Sequence, residues 1–293
     1  GCSYFSPTQA FLDAIQCTDG KSIVESPLFD YQNPWKNRDP RLDLFCVRPG
    51  SRVLGMQFET NPSAQTIKNY NDKEEGVDVA NSEAYGSKSE YGANGSKGPC
   101  GYLWRKYLDI QEYNNAFGTS SVCVLSYPLM RLAELYLIRA EANIEWNGGD
   151  LSVAKADIET IRSRAHMPGL SENLSRDGLR SALRYERMVE LCNEGFRWFD
   201  IRRWDMAESV ISGTLYAPAL DGSVSNAVPT IDSDWHVTYN GQTFDGKDMN
   251  LRRFITMSYD PMKDALWPIP EDERIANPLI TQNPGYAGHS IEE

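Results

Sequence analysis

Histidine is scarce in this chain: His166, His236 and His289 are the only three among 293 residues. A metal centre built on imidazoles needs several of them brought together. The six cysteines, at positions 2, 17, 46, 100, 123 and 192, make no C-x-x-C pair and no Cys/His cluster with zinc spacing. They read as buried free thiols, or as a disulfide or two in an oxidising compartment. No apolar run approaches the roughly 20 residues of a membrane helix. The catalytic and nucleotide fingerprints G-x-S-x-G, H-E-x-x-H, Walker A and Rossmann G-x-G-x-x-G are all missing. "GANGSKG" (92–98) spaces its glycines three apart but lacks the strand–helix context of a phosphate loop. An excess of basic charge is missing too. With 41 acidic residues against 29 Lys and Arg, the net charge is −12, which disfavours nucleic acid and anionic lipid as partners.

What the chain does have is apolar and aromatic material, 41% hydrophobic with 7 Trp and 15 Tyr, enough for a sizeable core. Gly (22) and Pro (16) mark a loop-rich protein. Three zones follow. Residues 1–126 are mostly irregular. In them, "SPTQAFLDAIQ" offers Ser6 as an N-cap and Pro7 at the first helical position. The alternation of Leu42, Leu44 and Cys46 predicts a strand, and so does "GYLWRKYLDI". Residues 69–100 are polar, rich in Gly, Ser and Asn, and carry isolated tyrosines: a long surface excursion. Residues 127–210 are helical. Pro128 opens a helix that Asn147-Gly148-Gly149 closes, and Leu151, Ala154, Ile158, Ile161 and Ala165 form one apolar stripe in the next. The pair has the size of a tetratricopeptide-type hairpin. Residues 211–293 return to turns and to an extended, proline-rich tail. Carboxylate pairs such as Glu74-Glu75 and Glu271/Glu273 read as solvated loop charges, and Asp232/Asp234 do not continue into an EF-hand calcium loop.

One stretch interleaves aromatics with arginines: "NEGFRWFDIRRWDM", 193–206. Such a pattern can grip nucleic acid. From Arg184 to Asp205, however, the acids Glu186, Glu190, Glu194, Asp200 and Asp205 balance the bases Arg184, Arg187, Arg197, Arg202 and Arg203. Tyr185, Met188, Val189, Cys192, Phe196 and Phe199 make a helical stripe, and opposite charges fall three or four apart. The stretch therefore reads as a core helix with an ion-pair ladder. It predicts that Phe196 and Phe199 are buried and that Arg197 pairs with Glu194 or Asp200.

Several segments together resemble the SusD/RagB family of outer-membrane nutrient-binding lipoproteins of Bacteroidetes. They are "NRDPRL" (37–42), "RKYLD" (105–109), "RLAELYLIRAEANIEWNGGD…AKADIETIRSRAHMPGL", "ERMVELCNEGFRWFDIRRW" and the tail "WPIPEDERIANPLITQNPGY", in family order. Glu186, Arg187, Glu190, Glu194, Arg197, Asp200, Arg203 and Trp204 carry the signature. Trp104, Trp198, Trp204 and Trp267 are assigned to the core because they sit inside segments that the resemblance implies are structural, while Trp35 is ambiguous. The resemblance implies a mainly α fold, an alpha-alpha superhelix with a tetratricopeptide-type hairpin, large loop-rich regions and a few short strands. Family members are about twice this length, so the chain is read as the C-terminal half, with the lipid anchor on the other half and not on Cys2. The resemblance further implies a non-enzyme without cofactor. Such a protein captures oligosaccharide on the outward face of the outer membrane and passes it to a SusC-like TonB-dependent transporter. A peptide- or protein-binding scaffold of the same fold, without saccharide affinity, is the alternative.

Sugar rings stack on exposed aromatics, and their hydroxyls bond amides and carboxylates. Aromatics in polar segments without periodicity are the candidates: Tyr70, Tyr85, Tyr91, Trp235 and Tyr239, with Asn94 as a hydrogen-bonding neighbour.

Overall fold

The longest helices form where the apolar spacing predicts them. The computed structural model describes residues 6–286 apart from 54, 62, 72, 82–100, 108–125 and 127. Helix α3 (Leu132–Glu145) and helix α4 (Leu151–Arg164) make the antiparallel hairpin. Its turn needs glycine: a Cβ on Gly149 would lie 2.1 Å from the Asn143 carbonyl oxygen. The Asp150 side chain accepts from Ser152 N and so caps α4. Pro128 does not open α3; Arg131, in extended backbone, is the cap residue. Helix α5 (Arg176–Glu190) starts at Ser175, whose hydroxyl accepts from Gly178 N. Ala133, Leu137, Ala140 and Ile144 of α3 pack with Ala154, Ile158 and Ile161 of α4 and with Leu179 and Leu183 of α5.

α5 also serves a second core. Its Tyr185, Met188 and Val189 pack against Leu12, Ala14 and Ile15 and against Leu42, Cys46, Tyr102 and Val237. Leu12 and Ala14 belong to helix α1 (Gln9–Ala14), which is capped by Thr8 and not by Ser6. The expected strand around Leu42 is a short helix, α2 (Arg41–Phe45), in which Leu44 is 61% exposed while Leu42 is buried. Strand geometry begins at β1 (Cys46–Val47), paired antiparallel with β6 (Leu103–Trp104). Between them β2 (Arg52–Val53), β3 (Met56–Gln57), β4 (Thr66–Asn69) and β5 (Val77–Ala80) form an antiparallel meander.

After α5, Gly195 at φ 86° turns the chain into α6 (Phe196–Arg203), and α7 (Ala207–Ile211) follows. The last zone is more regular than its turn signals imply. β7 (Gly213–Ala217) pairs with β10 (Arg252–Met257), and β8 (Ala227–Ile231) with β9 (Val237–Thr243). A short helix, α8 (Glu271–Ala276), interrupts the tail. Of the described residues 31% are helical and 17% are in strands, a more mixed composition than the mainly α expectation. Among them no helix is long and apolar enough to cross a membrane.

A buried ion network joins the segments quoted above. Glu186, 0% exposed, accepts from Arg41 at 2.7 Å and from Arg162 at 2.8 Å. Glu190 accepts from Arg131 at 2.6 Å, from Arg41 at 3.2 Å and from Arg164. Glu194 takes Arg131 at 2.8 Å and Lys106. Burial by itself would raise the Glu194 carboxyl, but the hydrogen bonds from Arg131 and Lys106 outweigh it and hold the group below its usual range. Asp39 holds Arg41 in place at 2.7 Å and also accepts from the Tyr185 hydroxyl. Arg187 forks onto Asp200 through two 2.9 Å bonds.

The ladder expected along the helix is thus largely a cross-link between elements. Asp200–Arg203 is a local pair at 2.8 Å, whereas the other bridges reach across the fold. Arg197 is the exception: Asp200 is taken by Arg187 and Arg203 and Glu194 by Arg131 and Lys106. Burial lowers the Arg197 pKa against the longer-range pull of Asp200 and Asp234. The expectation for the phenylalanines also needs correction. Phe196 is half-buried against the hairpin core, but Phe199 is 64% exposed. Both line an open groove of about 920 Å³ together with Ile138, Ala142 and Trp204. The reason is local. α5 ends at Glu190, and the turn through Asn193 and Gly195, both at positive φ, separates it from α6, so the apolar stripe does not run as one helical face. Trp198 and Trp267 are exposed as well, the latter 73%, while Trp104 and Trp204 pack against cores.

Candidate functional site

A cavity of about 230 Å³ lies among α1, the turns before α2, β6 and the loops flanking β8 and β9. Its floor is polar. Asp13, on the buried side of α1, accepts from Gln9 Nε2 at 2.9 Å and from the Tyr239 hydroxyl at 2.7 Å. Gln9 in turn accepts from the Tyr102 hydroxyl at 3.0 Å. Burial pushes the Asp13 carboxyl up to about 6, against the lowering effect of Tyr239, Arg38 and Gln9. Arg38 donates to the carbonyls of Leu12 and Ile15 at the end of α1, and to Pro34 at 2.7 Å. Its Nε is buried without a hydrogen-bond partner.

The walls are aromatic. Trp35 meets Tyr102 edge to face with centroids 5.9 Å apart. Arg48 lies 5.0 Å over the Trp35 ring. Phe244 packs against Phe29 at 5.6 Å and stacks with Tyr31 at 5.4 Å and 11°. Asn33, Gln32, Ser223 and Ser225 add polar groups to the lining. Apolar ring faces beside amide, hydroxyl and guanidinium groups are what a hydroxyl-rich ring compound needs. Asp13 is the one carboxylate among the described lining residues, so the paired carboxylates of glycoside hydrolysis are not assembled here. Among the described residues no group of three or more His, Cys, Asp and Glu is placed to hold a metal.

The sequence profile of the SusD family matches residues 1–286. The chain belongs to the SusD family. A SusD-like protein, P2, of Formosa agariphila is 28% identical over 169 residues, 55% of this chain and 26% of that protein. A SusD-like protein of Bacteroides fragilis superposes with a TM-score of 0.61 at 23% identity, covering 96% of this chain and 47% of its own. A SusD-like carbohydrate binding protein of the same species gives 0.59 at 23%, covering 93% and 47%. At that identity the likeness speaks for the fold alone. The chain spans about half the length of these solved SusD-like proteins and about a quarter of P2.

Within this SusD fold the signature residues Glu186, Arg187, Glu190, Glu194, Asp200 and Arg203 form the ion network, and Trp204 donates its indole N–H to Glu141 at 2.8 Å. The loop-aromatic candidates fare differently. Tyr85, Tyr91 and Asn94 lie outside the described residues. Tyr70 follows β4, half-buried under Arg52 at 4.8 Å, on a different sheet from the cavity walls. Trp235, at φ 61° in the β8–β9 turn, packs on Tyr185 at 4.6 Å and donates to Ser181. Tyr239 is a strand residue whose hydroxyl is committed to Asp13. Neither lines the cavity.

The residues missed were Asp13, Arg38, Phe29 and Phe244. Phe244, a lone aromatic in "GQTFDGK", carries the same signal that selected Tyr70. Asp13 and Arg38 carry none, because an acid on a short helix and an arginine in a turn become a cavity floor only when sequence-distant segments meet.

Proposed function

We propose that this SusD-family chain is the C-terminal part of a glycan-capture protein of an outer-membrane uptake complex, facing outward and delivering oligosaccharide to a SusC-like TonB-dependent transporter. In this reading a lipid anchor holds that protein at the membrane. The observation that carries the reading is the cavity, aromatic-walled and polar-floored, in a fold whose solved neighbours include a carbohydrate binding protein. Its volume falls below the roughly 300–1,000 Å³ of drug-sized sites, so it suits one sugar unit of a longer ligand. In this reading Trp35 and Phe244 stack on ring faces, and Asn33, Gln32 and the serines bond hydroxyls. Tyr239 holds Asp13 from behind, and Trp235 braces the β8–β9 turn against α5. Tyr70, Tyr85, Tyr91 and Asn94 are further candidate ligand contacts. Binding and release suffice, and no catalytic step or cofactor is required.

Isothermal titration against plant, host and microbial oligosaccharides tests the proposal. Micromolar to millimolar binding that weakens in Trp35→Ala is expected, and binding to no saccharide overturns it. A peptide-binding scaffold is the second reading, favoured by the open groove that Ile138, Phe196 and Phe199 line. Retention of peptides with no saccharide affinity would select it.

A further inference from the structure

The cavity holds more positive charge than its surroundings explain. Arg38 is 6% exposed, yet its guanidinium bonds only carbonyl oxygens, and its Nε has no partner. Among the described residues no carboxylate forms an ion pair with it; Asp13 acts on it at longer range, and burial lowers its pKa against that pull. A guanidinium stays charged all the same, and a buried charge normally has a charged partner. Arg48, on the wall, has Asp43 at 4.0 Å, and both are substantially solvated, so that pair is weak. Stacking on Trp35 instead steadies its planar fork of donors. The carboxylates flanking the mouth are engaged on their own loops: Asp221 accepts from Ser223, and Asp245 from Asn226 and Lys247 N. Asp13 is tied to Gln9 and Tyr239. Among the described lining residues two guanidinium groups meet a single carboxylate, in a chain of net charge −12.

We propose that this cavity recognises a saccharide bearing an anionic group, a uronate carboxylate or a sugar sulfate, with Arg48 as its cationic contact and the buried Arg38 contributing charge. The inference rests on the glycan reading above and specifies its ligand class. A bidentate guanidinium–carboxylate contact supplies both the energy and the orientation that stacking on Trp35 and Phe244 lacks. Because the whole chain repels anions, selectivity comes at contact distance, inside the screening length.

The test is calorimetric titration of the full chain with short oligomers of galacturonate, mannuronate and glucuronate, with the same oligomers methyl-esterified, with a sulfated oligosaccharide, and with neutral gluco-, manno- and xylo-oligomers. At least one anionic oligomer should bind, and esterifying a bound uronate should weaken it roughly tenfold or more. Arg48→Gln should abolish most of that difference, while Arg48→Lys keeps part of it. Lowering the pH from 7.5 to 5.5 should tighten anionic binding. Asp13, faced by Gln9, Tyr239 and Arg38 and with its carboxyl pushed up to about 6 by burial, takes up a proton in that interval. Sulfated but not carboxylated ligand binding supports the proposal with sulfate as the anion. Neutral oligomers binding as well as anionic ones, or an acid-over-ester preference untouched by Arg48→Gln, overturns it and leaves the glycan reading standing. Binding of no saccharide removes both.

Discussion

The ion network on α5 and the cavity beside α1 are built from the same residue types and treat charge in opposite ways. In the network every glutamate meets at least two cations, and Arg41 meets Asp39, Glu186 and Glu190 at 3.2 Å or less. In the cavity one buried arginine is held by carbonyls and one buried aspartate by neutral donors. Saturated charge locks elements together and has nothing left to offer a ligand. Unsaturated charge costs stability and is available for binding. This separates the part of the chain that identifies its family from the part that is proposed to act.

The largest effect should come from breaking the saturated side. Glu186→Ala leaves Arg162 buried without its carboxylate and takes one of three from Arg41, and should cost about 3–5 kcal/mol, read as a lower urea midpoint with unchanged slope. The cavity should respond in the other direction. The Asp13 pKa is raised from 3.8 to about 6, so the folded state holds this proton more tightly than the unfolded chain does. Its contribution is therefore full at pH values below about 4 and is lost as the pH rises through about 6. Asp13→Asn removes that loss. Relative to wild type it should gain up to about 3 kcal/mol between pH 4 and pH 7.5, measured as the change in the stability difference across that range. A flat difference would show that Asp13 is not held as described. Smaller again, Phe244→Ala should leave stability nearly unchanged, since the ring is partly exposed, while weakening saccharide binding by about 1–2 kcal/mol. The smallest effect belongs to Phe199→Ser, which should shift stability by no more than about 0.5 kcal/mol. A loss of several kcal/mol there would mean that Phe199 is buried after all.

The two regions also differ in how far the sequence reveals them. The α3–α4 hairpin was legible because its code is local. Ala154, Ile158 and Ile161 repeat at helical spacing, and all are buried. The signature was legible as a pattern of residue types, yet the pairing was not. Arg187 looks three residues ahead on a helical wheel but bonds Asp200, thirteen residues on, because Gly195 redirects the chain between them. The α2 segment misled for a similar reason. Its alternating leucines read as a strand, but Arg41 has to reach Glu186, 145 residues away, and the helical turn puts it there. The cavity was least legible. Its floor and walls come from residues 9–49, Thr60, Tyr102 and 218–244, with no periodicity linking them, and Trp35 gave no local sign of which way it faces. Trp235 and Tyr239 were chosen as unpatterned aromatics, and the structure ties both to neighbouring side chains.

The central claim is that ligand chemistry resides in the unsaturated cavity and not in the signature helix. Titration of one binding oligosaccharide into Trp35→Ala and Phe199→Ser, side by side with wild type, tests it most directly. A loss of about tenfold or more is expected for Trp35→Ala, and wild-type affinity for Phe199→Ser. Undiminished binding by Trp35→Ala together with a loss in Phe199→Ser would contradict it and move the site to the groove between α3 and α6.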